Sequence, residues 1–95
     1  MIGKHVIVRT QSAGVFAGTL AAKEGMEVTL KDARRLWYWS GASETLQLAA
    51  EGVKNPNSCK FTLTVDEIIL TEAIEIIPTT HAAEQNIKAV TVWKA

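Results

Sequence analysis

The heptapeptide Arg34-Arg35-Leu36-Trp37-Tyr38-Trp39-Ser40 concentrates the chemistry of this chain: it carries three of the six aromatic residues and two of the three arginines. A guanidinium fork binds phosphate through two parallel hydrogen bonds, and an aromatic face stacks on a purine, so this pairing suits a nucleotide pocket. In an extended backbone Arg35, Trp37 and Trp39 share one face, and Arg34, Leu36 and Tyr38 the other. One face is then free for the core and the other for a ligand wall or a subunit contact. A plainer arrangement fits the same residues equally well, with the tryptophans in the core and the arginines paired to Asp32 or Glu27. Phe16 and Arg9 add a smaller signal. Arg9 precedes Thr10-Gln11-Ser12, whose hydroxyls and backbone N–H groups could meet phosphate or ribose oxygens, or simply close a polar hairpin. The expected ligand-binding set is Arg9, Thr10, Ser12, Phe16, Arg34, Arg35, Trp37 and Tyr38.

Catalysis has no comparable support. Cys59, His5 and His81 are scattered, and no local nucleophile signature surrounds them. Asp66 and Glu67 are adjacent and would point to opposite faces of a strand, while Glu72 and Glu75 read as a solvated edge. Two distant histidines and one cysteine give no metal-ligand spacing, and no cofactor is expected.

Composition narrows the partners. Ten basic residues balance ten acidic ones, which argues against a protein that coats long nucleic acid or an anionic membrane. The balance is uneven along the chain: residues 1–60 carry eight basic and five acidic side chains, residues 61–95 two and five. A small anion could therefore be held by the first part, and a basic patch on another subunit could be met by the second. A 95-residue chain with 47% hydrophobic content buries only roughly 60–65% of its unfolded surface, so a homo-oligomer is expected. The single cysteine excludes an internal disulfide and fits a reducing cytoplasm. No segment approaches the ~20 apolar residues of a membrane span, and the N-terminus lacks a signal-peptide core, so neither a membrane location nor export is expected.

The elements that must position the cluster are mostly strands. Val6-Ile7-Val8 centres a first strand from His5 to Thr10, Val15 to Ala22 makes a second, and Gly18 within it predicts a bend or a close backbone approach. Lys23-Glu24-Gly25 reads as a hairpin turn, followed by a third strand from Met26 to Leu30. Lys31 to Ser40 reads as an irregular crossing that leads into an extended aromatic strand. Ser43 offers the N-cap of a short helix from Glu44 to about Glu51, with Leu46, Ala49 and Ala50 on one face and Gly52 at its end. Asn55 to Ser58 is a turn. Beyond it, Phe61-Leu63-Val65 and Ile74-Ile76 alternate as strands, Ile68-Ile69-Leu70 fits a buried strand or a turn-linked pair, and Pro78 is a stop. Thr79 to Asn86 reads as a short helix or turn capped by Thr80, and Val90 to Trp93 as a closing strand. The prediction is one domain, 1–95, of α+β class: a mainly antiparallel β domain with an inserted short helix.

Val8-Arg9-Thr10, Ser12-Ala13-Gly14-Val15, Val28-Thr29-Leu30-Lys31 and the run from Ala33 to Ala42 resemble a family of small phage and prophage proteins, the first-described anti-Thoeris sponges. The likeness continues through Glu51 to Pro56, Cys59-Lys60-Phe61, Val65 to Ile68, Thr71 to Ile76 and Val92-Trp93-Lys94, nearly the whole chain. The chain departs from that pattern at Gly41 to Thr45, where relatives carry an additional small residue, which leaves the start of the helix open. This resemblance implies sequestration of an immune signal, a cyclic ADP-ribose isomer, in the host cytoplasm without cleavage. It also implies multimers, often hexamers, with pockets between protomers, and for some members binding of cyclic oligonucleotides. A second reading of the residues stays open: the Arg/Trp patch could dock the chain onto a protein partner.

Overall fold

The computed structural model describes residues 1–94, in which six strands and two helices follow one another: β1 (His5–Thr10), β2 (Val15–Glu24), β3 (Glu27–Tyr38), α1 (Thr45–Glu51), β4 (Lys60–Phe61), β5 (Val65–Leu70), β6 (Ala73–Pro78) and α2 (His81–Ala89), with a 3-10 turn at Pro56–Ser58. The fold is α+β and mainly antiparallel β. β1 lies inside the sheet next to its β6 edge, pairing with β2 on one side and β6 on the other; β2 pairs with β3, which pairs with β5 along its first half and β4 near its end. β5 and β6 thus lie at opposite edges, yet only Thr71 and Glu72 separate them in sequence. The sheet must curl to bring those edges together, and the Ala73 N–H bonds to the Met26 carbonyl at 3.0 Å across the closing side.

Two apolar layers result. Ile7, Ala17, Leu36 and Phe61 face the helices, meeting Leu48, Ala49, Ile87 and Val90. The concave side encloses Val6, Val8, Phe16, Leu30, Ala33 and Leu70. β1 is buried on both faces because alternate residues feed the two layers, which explains its unbroken Val-Ile-Val run.

The irregular crossing expected at Lys31 to Ser40 is a β-bulge in one continuous strand. Ala17 pairs with Arg34 but Thr19 with Lys31, so β3 holds one extra residue there, and Asp32 takes φ 49°. That residue resets the alternation. Val28 and Leu30 face the concave layer before it, and Ala33 faces the same layer after it. Arg35 and Trp37 follow Ala33 in parity, while Arg34 and Leu36 turn toward the helices. Opposite the bulge, a Cβ on Gly18 would lie 3.0 Å from the Ala33 Cβ, the close approach foreseen for this glycine.

Other boundaries differ for local reasons. Glu44, rather than Ser43, caps α1: its carboxylate accepts from the Leu46 and Gln47 N–H groups at 3.0 and 3.2 Å. The buried helix face is Thr45, Leu48 and Ala49, and Leu46 is exposed. Thr80 caps α2 as expected, although the helix runs on to Ala89. The strand expected from Phe61 to Val65 is broken between β4 and β5, and the closing strand reduces to one parallel bridge, Phe61 to Val92. No helix is long and apolar enough to cross a membrane among the described residues.

Candidate functional site

Strand β3 carries Arg35 and Trp37 out of the sheet beside the β1–β2 turn. An open concavity is lined there by Ser12, Ala13, Gly14, Val15, Arg35, Leu36 and Trp37. The turn is rigid. The Thr10 hydroxyl donates to the Gly14 carbonyl at 2.7 Å and accepts from the Ala13 N–H at 2.9 Å, while the Thr10 N–H also reaches the Gly14 carbonyl at 3.0 Å. Gly14, at φ 98°, lets the backbone turn at this point.

Within this wall the Arg35 guanidinium lies 4.8 Å from the centroid of the Phe16 ring. No carboxylate pairs with Arg35 among the described residues, so its fork keeps its donors for an incoming anion. The Trp37 indole, 58% exposed, stacks on Trp93 with centroids 5.3 Å apart and planes 20° apart. The Lys60 ammonium sits 5.3 Å from one indole centroid and 5.5 Å from the other. Each cation–π contact at such an exposed site contributes about 0.5–1 kcal/mol, and aromatic stacking a similar amount beyond its burial. Lys60 and the two stacked indoles form one surface, and Arg35 lines the adjoining concavity with Trp37, an arrangement whose charges can meet an anion and whose ring faces can meet a flat ring.

The expected set divides on this geometry. Arg35 and Trp37 sit together as anticipated, and Tyr38 is exposed where β3 meets Lys60 of β4. Arg34 requires correction. Its guanidinium is buried and points to the helix side, where Nε donates to the Thr62 carbonyl, one terminal nitrogen to those of Ile87 and Val90, and the other to that of Phe61. It pairs with neither Asp32 nor Glu27, and burial lowers its pKa. Phe16 is also corrected: it is 2% exposed with one face under Arg35, which leaves no ring surface for a base.

Thr10 is buried and its hydroxyl is committed to the turn. The Ser12 hydroxyl donates to Glu72 at 2.6 Å, so its proton faces a carboxylate instead of open space. Arg9 meets Glu75 at 3.3 Å, and the same Glu75 oxygen accepts from the Thr45 hydroxyl at 3.2 Å. Glu72 and Glu75 are thus partners of the turn and of α1, not a bare edge. Trp39 leaves the face of Arg35 because the strand ends at Tyr38, and it packs against the helical layer.

Lys60 and Trp93 were missed. Both reach the site through Phe61: Lys60 precedes it on β4, and the Trp93 N–H bonds to its carbonyl at 2.8 Å. Neither long-range pairing leaves a local pattern in sequence. Two of the residues weighed for catalysis have structural partners: the Cys59 thiol faces the Asn55 carbonyl at 3.4 Å, and His5 Nδ1 faces the Thr79 hydroxyl at 2.7 Å.

A family model described as a domain of unknown function (DUF6948) matches residues 3–87. No curated protein and no solved structure matches the chain.

Proposed function

We propose, for a chain that belongs to the DUF6948 family, that it is a binding protein that captures a small phosphorylated nucleotide and holds it without chemical change. The observation that carries this reading is the Trp37–Trp93 stack with Lys60 against both indoles, beside a concavity that Trp37 shares with Arg35. Arg35 and Lys60 bind phosphate oxygens, and an indole face binds the base. Base stacking contributes ~1–3 kcal/mol, and a charge-assisted hydrogen bond a comparable amount, enough together for capture in a preorganised pocket. The concavity is open on a single chain, so a second copy laid over it would enclose the ligand and exclude water.

The specific ligand we propose is a cyclic ADP-ribose isomer. It offers a pyrophosphate for the cations and a purine for the indoles, and the family resemblance carried by Ala33 to Ala42 points the same way. On that reading the protein is a phage-encoded sponge that lowers the free concentration of a defence signal in the host cytoplasm. Cyclic oligonucleotides present the same two chemical features and form a second ligand class. Isothermal titration of the purified protein against cyclic ADP-ribose isomers tests the reading: saturable heat with a fixed stoichiometry supports it, and no heat with any isomer removes it.

Docking onto a protein partner is favoured by a separate observation, the half-exposed Trp37 and Tyr38 in succession at the end of β3. A chain that bound no nucleotide but lost a partner on Trp37→Ala would belong to that class.

A further inference from the structure

We propose that Trp93 is the movable jaw of a base clamp, and that a nucleobase enters between the Trp37 and Trp93 indoles instead of lying on their outer face. The inference rests on the nucleotide-capture reading and adds where the base sits. The two indoles are held differently. Trp37 belongs to β3, flanked by Leu36, which is fully packed and paired with Phe61, and Tyr38, which is paired with Lys60. Trp93 lies beyond α2, and the backbone around it is tied to the sheet by the Val92 bridge and its own N–H bond to the Phe61 carbonyl.

The anchor of that segment is Arg34. By donating to the Ile87 and Val90 carbonyls from one side and to those of Phe61 and Thr62 from the other, it fixes the end of α2 against β4. Val90 is buried at this point, whereas Thr91, Val92, Trp93 and Lys94 are exposed. The backbone stays paired to the sheet as far as Trp93, so the freedom left to the partly exposed indole is rotation about its own side-chain torsions.

The spacing fits a small opening. The ring centroids are 5.3 Å apart and the planes already splay by 20°. A flat base between two rings needs ~7 Å, two carbon contact distances of roughly 3.5 Å each. An outward shift of about 2 Å would admit it, and a change in the Trp93 side-chain torsions accommodates that without moving β3. Lys60, equidistant from both rings, lies at the mouth of the gap, where it can pair with the phosphate attached to the base. In the free protein the stacked pair shields both inner faces from water, which keeps the clamp closed until a ring of better fit replaces the contact.

The test uses the full chain and cyclic ADP-ribose as probe. Two stacked indoles give a coupled pair of bands in the near-ultraviolet circular dichroism, absent in Trp93→Phe and Trp93→Ala. The clamp predicts that this couplet collapses as the protein is saturated with probe. It also predicts that Trp93→Ala weakens binding roughly tenfold or more, while Trp93→Phe, which keeps a stacking face, stays within about threefold of the parent. A couplet that persists in the saturated complex, or a Trp93→Ala variant that binds like the parent, overturns the clamp. If Arg35→Ala loses binding in that same series, nucleotide capture stands and the clamp alone falls. A parent chain that binds no probe removes both.

Discussion

Arg34 and Arg35 are neighbours in sequence and lie on opposite sides of β3: the first is enclosed by backbone carbonyls from β4, Thr62 and the end of α2, and the second rests on Phe16 facing solvent. The division of labour follows from charge and access. A buried guanidinium that satisfies four carbonyls stabilises the fold, and an exposed one with free donors is available to a ligand. Arg34→Met is expected to destabilise by at least about 2 kcal/mol, because the carbonyls lose a charged donor and water cannot fully replace it. Arg35→Ala should change stability by less than about 1 kcal/mol, the size of its contact with Phe16. It should weaken nucleotide binding by about 1.5–3 kcal/mol, or roughly 10–150-fold, with only partial recovery in Arg35→Lys. Urea melts and titration calorimetry on the three variants separate the roles; equal stability losses at 34 and 35 would refute the division.

The bulge at Asp32 assigns those sides, and its backbone φ of 49° is a conformation that β-branched residues resist. Asp32→Gly should be tolerated. Asp32→Val should be less stable than Asp32→Gly by about 1–2 kcal/mol, the cost of the left-handed conformation for a bulky side chain. Equal denaturation midpoints for the two variants would mean that the bulge can relocate along β3.

These two residues also mark how far the sequence could be read. The β-branched run of β1 and the alternation in Met26 to Leu30 and around Ile74 to Ile76 were legible, and Thr80 announced α2. The alternation in Arg34 to Trp37 was legible too, including which pair shares a face. What the residue pattern did not carry was which face would be buried, since that depends on Phe61 arriving at β3 from across the chain. Lys60 and Trp93 enter by that route, and so does the sequestration of Arg34. Thr10 and Ser12 looked like ligand groups because a hydroxyl that closes a turn and one that binds phosphate are the same residue type.

His5 gives a pH dependence with a defined sign. The Thr79 hydroxyl donates to the His5 carbonyl at 3.0 Å, so the ring must donate from Nδ1 in their 2.7 Å contact. Burial pushes the His5 pKa below its ordinary 6.5; Lys88 on α2 adds to that and Glu84 opposes it. The unfolded chain then takes up the proton first as pH falls. The stability contributed by neutral His5 is present above about pH 6.5 and is lost as pH drops through the lowered folded value. Urea midpoints should therefore fall between pH 7.5 and pH 5.5, with a smaller fall in His5→Gln. Parallel curves for parent and variant would assign the drop to other groups.

Oligomerisation is expected from the surface. Leu63, Val65 and Ile69 are 50%, 39% and 54% exposed along and just before β5, which lies at a sheet edge. A small domain gains by covering such residues. Light scattering at micromolar concentration should give a mass that is a multiple of 10.3 kDa, reduced in the double variant Val65→Lys, Ile69→Lys. A parent mass equal to one chain would end this expectation.

The nucleotide is expected to leave the protein as it entered. Hydrolysis of a pyrophosphate or a glycosidic bond requires a positioned acid, base, nucleophile or metal beside the scissile bond. The groups at the concavity and on the indole stack beside it are Arg35, Lys60, two indoles and a turn whose hydroxyls already have partners: Thr10 with Gly14, and Ser12 with Glu72. Arg35 and Lys60 stabilise phosphate charge in the ground state as well as in a transition state, which favours binding over turnover. Among the described residues Glu72 is the carboxylate that bonds to the turn, and a phosphate drawn to Ser12 would have to displace it, so it opposes approach of an anion. Incubation of ligand with excess protein, heat denaturation and chromatography of the released compound should recover the starting nucleotide in full. A new product that accumulates beyond one equivalent per site would make the protein an enzyme and would direct attention to Glu72 as its base.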